Sequence, residues 1–118
     1  MVFDANFPFF EDNFSLRFIF FTRYFSNEDF SGSILSKQLL KSGTSIGANV
    51  SEAQKAQSKA DFHTKMTIAL KEANETYYWL RLLYKTDFLT SKEFSSIETD
   101  IKEIVAILTS VCRKTDYK

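Results

Sequence analysis

Chemistry in this 118-residue chain would have to come from very few groups: one histidine, His63; one cysteine, Cys112; and the carboxylates of Glu52, Glu72 and Glu75. A nucleophilic triad needs a base within hydrogen-bond reach of its nucleophile. His63 stands near the start of a helical stretch with no favoured partner and reads as a solvated helix residue. A di-iron bundle needs two Glu-x-x-His motifs, which a single histidine cannot supply. Gly43-x-x-x-Gly47 lacks the lysine and hydroxyl that complete a phosphate-binding loop. The three glutamates could pair for acid–base work, but no pocket follows from their spacing. Cys112 cannot form an intramolecular disulfide; it reads as a small buried hydrophobe in a reducing compartment. These residues predict a protein that is not an enzyme, with no catalytic residue, no metal site and no cofactor.

The elements that carry these residues read as helices. The length suits one domain, which can bury roughly two-thirds of its unfolded surface. Three glycines and one proline leave few turns, against the needs of a β-sandwich or barrel. Lysine plus arginine balance aspartate plus glutamate, 15 against 15, whereas a protein built to coat phosphate is usually strongly basic. The opening "MVFDANFPFFEDNF" is apolar but acidic and lacks the positive region of a signal peptide. "FIFF", Phe18 to Phe21, is too short to span a bilayer. A soluble, cytoplasmic protein with no membrane partner is expected.

Residues 1–12 contain Pro8 and no periodicity, and predict an irregular tail before a bundle domain at 13–118. From an N-cap at Asn13, Phe14, Phe18, Phe21 and Phe25 predict a first helix over 14–25. Leu16, Ile19 and Phe20 make it apolar on most sides. Ser26–Ser33 reads as a loop by composition. A second helix follows over about 33–55, with Leu35, Leu39, Ser42, Ile46, Val50 and Ala53 as its seam. Ser58 caps a third, over 59–85, whose seam is Phe62, Met66, Ala69, Ala73, Thr76, Tyr77, Leu80 and Tyr84. Thr90 and Glu93 form a capping box for a fourth, ending near 113, with Phe94, Ile97, Ile101, Ile104, Leu108 and Val111 inward. The terminal "RKTDYK" is expected to fray. Four helices joined by short loops predict an all-α, antiparallel up-and-down four-helix bundle. A strand over Thr44–Val50 is the alternative, and the 3–4 spacing continuing through it speaks against it.

Two features exceed what such a bundle needs. Each glycine costs a helix about 1 kcal/mol relative to alanine, yet Gly43 and Gly47 sit inside the second helix. With Leu40 they form a stripe beside the seam, and Ala69 and Ala73 offer a matching small pair on the third helix. Close helix packing would offset the cost; a kink at Gly43, or a ligand against the backbone, is the alternative. The other side of the second helix carries Gln38, Lys41, Ser45, Asn49 and Glu52, a polar band either simply solvated or a hydrogen-bonding surface for another helix or chain. On the third helix Ile68, Tyr78, Trp79 and Leu82, with Lys71, Glu72 and Glu75 among them, form a second apolar stripe. Surplus apolar patches mark protein interfaces. Leu16, Phe20, Ile68, Lys71, Glu75, Tyr78, Trp79 and Leu82 are therefore candidate oligomer contacts, with Ser45, Asn49 and Glu52 as a candidate polar band.

The stretches "SKQLLKSGTSIGANVSEA" and "SKADFHTKMTIALKEANETYYWLRLL", with the amphipathic helix after them, resemble the four helix bundle protein family. Its members are named for reading frames in intervening sequences of bacterial 23S ribosomal RNA genes. The likeness spans about residues 14–113. It rests on Ser45, Gly47, Ala48 and Asn49 with Glu52, Ala53, Phe62, Ala69, Glu72, Glu75, Trp79 and Leu80. The resemblance implies a bacterial protein, a left-handed bundle assembled as a homopentameric ring, and no established enzymatic activity. A related branch holds accessory variability determinant proteins of diversity-generating retroelements, basic pentamers that bind nucleic acid and a reverse transcriptase; zero net charge weakens that transfer.

Two functions are therefore expected to compete. One is a structural or scaffold ring that docks other proteins. The other is a nucleic-acid-binding accessory protein using Lys37, Lys41, Lys55, Lys59 and Lys65, whose field Glu52 and Asp61 dilute, so that binding would be weak.

Overall fold

The computed structural model describes residues 30–116, which form three α-helices: α1 (Phe30–Gln54), α2 (Lys59–Lys85) and α3 (Ser91–Lys114). These correspond to the second, third and fourth helices expected from the sequence. The expected tail at 1–12 and the helix at 14–25, with the interface candidates Leu16 and Phe20, lie outside the described residues. No strand occurs among the described residues, and Thr44–Val50 is helical throughout. α1 starts at Phe30, inside the stretch whose composition reads as a loop. Composition guides poorly there, because the N–H groups of a first turn lack intrahelical partners whatever the residue. At the other end Arg113 and Lys114 continue α3 instead of fraying.

The other boundaries follow from capping. Ser58 Oγ accepts the Asp61 N–H at 3.0 Å. Thr90 Oγ1 accepts from Glu93 N–H at 3.1 Å, while the Glu93 carboxylate accepts from Thr90 N–H at 2.9 Å. Each such cap stabilises a helix by about 1 kcal/mol. α2 ends in a Schellman arrangement: Phe88 N–H donates to Leu83 O at 2.9 Å and Asp87 N–H to Tyr84 O at 3.1 Å. Asp87 takes φ 66° there, a left-handed conformation that aspartate tolerates better than most residues but glycine best. The turn directs Leu89 into the core, where it is buried.

Cross-helix contacts fix the directions. Ser42 meets Thr76 and Glu52 meets Lys65, so α1 and α2 run antiparallel. Tyr84 meets Ser91, Tyr77 meets Glu98 and His63 meets Thr115, so α2 and α3 do too. α2 packs on both neighbours, while α1 and α3 have no Cα–Cα approach within 8 Å. Leu39, Ile46, Val50 and Ala53 of α1 join Met66, Ala69, Ala73, Leu80 and Leu83 of α2 and the whole expected seam of α3 in one core. Burying one large aliphatic side chain contributes roughly 1.5–3 kcal/mol. The seam of α2 ends on Leu83; Tyr84 is 37% exposed and stacks at 4.4 Å on Phe94 at the rim. Ser36, outside the expected seam but spaced 4-3-4 with Leu40, Gly43 and Gly47, is buried as well.

Gly43 and Gly47 are both buried. Neither takes a positive φ, so they are not needed for backbone freedom; the space their missing side chains leave is what matters. At about 100° per residue they lie on the opposite flank of the seam from Lys41, Ser42 and Glu52, the residues of α1 that face α2. The expected packing of this pair against Ala69 and Ala73 is therefore not what the helical phase gives. Gly47→Leu should overpack the site at about 1–3 kcal/mol, read as a lower midpoint in thermal or urea unfolding. An unchanged midpoint would put Gly47 in solvent.

Candidate functional site

The polar residues of α1 divide between core and surface. Ser42 and Thr76 are buried, with their hydroxyl oxygens 3.0 Å apart. The Glu72 carbonyl lies 2.7 Å from Thr76 Oγ1 and the Gln38 carbonyl 3.1 Å from Ser42 Oγ, so both protons have acceptors, as burial requires. On the surface, Ser45 Oγ donates to Lys41 O at 2.8 Å and Asn49 Nδ2 to Ser45 O at 2.8 Å. Thr44 Oγ1 does the same to Leu40 O at 2.8 Å. The expected hydrogen-bonding band thus satisfies these donors on its own helix. What crosses to α2 is charge: Glu52 pairs with Lys65 at 3.2 Å.

The candidate interface residues of α2 share one outer side of the helix. Ile68 is 37% exposed and Tyr78 47%; Lys71 is exposed, and Glu75, Trp79 and Leu82 are half-buried. Trp79 also packs against the core. Its Nε1 donates to Glu75 Oε1 at 3.2 Å, and its ring meets Tyr78 edge-on at 5.1 Å. Burial, then the neighbouring Glu75 charge, raises the Glu72 carboxyl above its ordinary value; Lys71 and Lys41 oppose this. Lys41 reaches this group from α1, so the polar band and the α2 residues form one surface across the two helices.

The lysines are more scattered. Lys37, Lys41, Lys55 and Lys59 are exposed, but Lys65 is held by Glu52 and Lys41 faces Glu72. Of the groups considered for chemistry, His63 does have a partner, contrary to expectation. Its Nδ1 lies 2.8 Å from Thr115 Oγ1, which also lies 2.8 Å from Val111 O. Nδ1 donates to Thr115 where it carries the ring proton and accepts from it where Nε2 does. Burial pushes the Cys112 thiol up, against the Thr67 hydroxyl at 3.8 Å, so the sulfur is kept from thiolate chemistry. Tyr77 donates to the Glu98 carboxylate, and this bond together with burial raises its phenol above the ordinary value. Tyr77–Glu98 was invisible in the sequence, since it joins different helices and follows no local spacing. No cluster able to hold a metal ion occurs among the described residues, and none of their helices is long and apolar enough to cross a membrane.

The family model described as 23S rRNA-intervening sequence protein matches residues 12–110. The chain belongs to the 23S rRNA-intervening sequence protein family. The chain is also similar to the crystal structure of a protein with unknown function from the S23 ribosomal protein family of Bacteroides thetaiotaomicron VPI-5482. It is 46% identical, superimposes with a TM-score of 0.82, and the match covers 89% of this chain and 96% of that one. No curated protein matches. The family part of the expected resemblance thus holds. Neither comparison indicates an enzyme, and neither carries a link to the retroelement accessory proteins.

The raised carboxyl of Glu72 has a consequence for pH. A carboxyl whose folded-state value lies above its unfolded value binds more protons when folded, so stability falls as pH rises through that range. Glu72→Gln removes this half-buried charge. It should raise the melting temperature at pH 7, with the gain fading as pH falls through the raised folded-state value and gone by about pH 3, where the wild-type carboxyl is protonated in both states. A gain equal at both pH values would place its origin elsewhere.

Proposed function

We propose that this protein is a non-enzymatic structural component, a homo-oligomeric ring of helical bundles that docks other macromolecules in the cytoplasm. The observation that carries this is the outer side of α2. Ile68 and Tyr78 stand exposed, with Trp79 and Leu82 half-buried, beside a core that is already filled. Covering several such side chains at roughly 1.5–3 kcal/mol each can outweigh the entropy lost on association. Lys71 and Glu75 on this face, and Asn49 and Glu52 beside it, would set the register of the contact.

The bundle within each subunit is completed by the segment at 14–25. α2 is the only described helix against α1, yet Gly43 and Gly47 are buried on the far flank of the α1 seam. An apolar helix fits that corner, and Phe14, Phe18, Phe21 and Phe25 supply its stripe. Leu16 and Phe20 on its other side add apolar surface for a head-to-tail contact between different faces, and such contacts close into rings. Five subunits is the number implied by the family resemblance. The partner is a protein; nucleic acid on Lys37, Lys41, Lys55, Lys59 and Lys65 would bind weakly, because carboxylates offset two of these cations.

Light scattering at micromolar concentration decides the assembly. A multiple of 13.7 kDa is expected, five-fold for the pentamer; a clean monomer would refute the ring, and another multiple would refute only the number five. Trp79→Glu should dissociate the oligomer while leaving each subunit helical by circular dichroism. Loss of the fold instead would assign Trp79 to the core.

A further inference from the structure

A second stripe of α2 shares Lys71 and Tyr78 with the edge of the ring face and runs on beyond it to Arg81 and Lys85. Thr67, Lys71, Asn74, Tyr78, Arg81 and Lys85 follow a 4-3-4-3-4 spacing, and every one of them is exposed. At about 1.5 Å per residue the stripe from Lys71 to Lys85 runs about 21 Å along the helix. It contains three cations, an amide and an aromatic ring, and no carboxylate. None of the three cations makes an ion pair among the described residues. Of the neighbouring acids, Glu98 accepts from Tyr77 and pairs with Lys102 at 3.6 Å, while Glu75, which accepts from Trp79, and Glu72 keep their charge beside Lys71 alone of the three cations.

Two members of the stripe are also held in place. Tyr78 is fixed by its edge contact with Trp79 at 5.1 Å, which leaves it 47% exposed. The Arg81 guanidinium lies 4.8 Å over the Tyr77 ring. Less side-chain freedom is then lost when a ligand binds.

We infer that this stripe binds single-stranded nucleic acid. Lys71, Arg81 and Lys85 neutralise phosphates at intervals along the strand, and a base stacks on Tyr78. Interleaved cations and aromatic rings are what such strands require; an acidic peptide would have no use for the ring. Lys71 and Tyr78 stand on the edge shared with the apolar face of Ile68, Trp79 and Leu82, so in a ring the stripe follows the rim of each subunit contact. A monomer carries it equally.

The test is fluorescence anisotropy with a labelled oligouridine across a salt series, using the full chain. Tyr78→Ala should weaken binding about tenfold. Arg81→Ala with Lys85→Ala should weaken it further and reduce the slope of log affinity against log salt by about 1.4, the loss of two phosphate contacts on a single strand. Lys37→Ala with Lys41→Ala should leave both affinity and slope unchanged. Absence of binding by the wild type at low salt would overturn the inference. So would an equal loss in the Lys37/Lys41 variant, or displacement of the oligouridine by polyglutamate as readily as by unlabelled oligouridine. Light scattering of each variant reports the assembly separately, so failure here and failure of the ring remain distinct.

Discussion

Everything described in this molecule hangs on the inward stripe of α2. It is the one described helix that packs against both others, so Met66, Ala69, Ala73, Thr76, Leu80 and Leu83 must serve two neighbours at once. That requirement explains the mixture of sizes along the stripe. Alanines and a threonine admit one neighbour closely, while Met66, Leu80 and Leu83 fill the volume shared by all three helices. Packing of this density leaves little tolerance for added or missing methylenes. It also fixes what remains outside: the flank of α2 toward α1 carries Lys65 and Glu72, the flank toward α3 carries His63 and Tyr77, and only the back is left for recognition.

The helices were legible because their signals are local. Ile97, Ile101, Ile104, Leu108 and Val111 keep their spacing against a polar background, and all five are buried. Ser58 and the Thr90–Glu93 box cap where hydroxyl chemistry says they should. Misreadings came where geometry is not periodic. The first turn of α1 carries glycine and serine, which imitate a loop. Leu83 and Tyr84 compete for the last inward place of α2, and the smaller residue takes it while the ring slides onto Phe94.

The surface was legible as composition but not as contacts. Ile68, Tyr78, Trp79 and Leu82 announced an apolar back to α2, and the helix places them together on one side. The polar band of α1 left a solvated face and a hydrogen-bonding surface both open; Ser45 and Asn49 turn a donor each onto carbonyls one turn back. Residues of this kind bond their own backbone readily, and sequence spacing does not reveal which acceptor wins. His63 with Thr115, and Tyr77 with Glu98, are separated by 52 and 21 positions; no local pattern links them.

The buried hydroxyl pair of Ser42 and Thr76 acts as a vernier between α1 and α2. Sliding one helix past the other by a turn would set each hydroxyl against aliphatic neighbours. Each donor would keep the carbonyl of its own helix, Gln38 O or Glu72 O, but each oxygen would lose the polar group now 3.0 Å away, and purely apolar seams carry no such penalty for slippage. One alignment is thereby selected from several that would bury similar area. The offset between Lys41 on α1 and Glu72 on α2 is fixed by the same choice. A partner docking across both helices meets a spacing of groups that was settled in the interior.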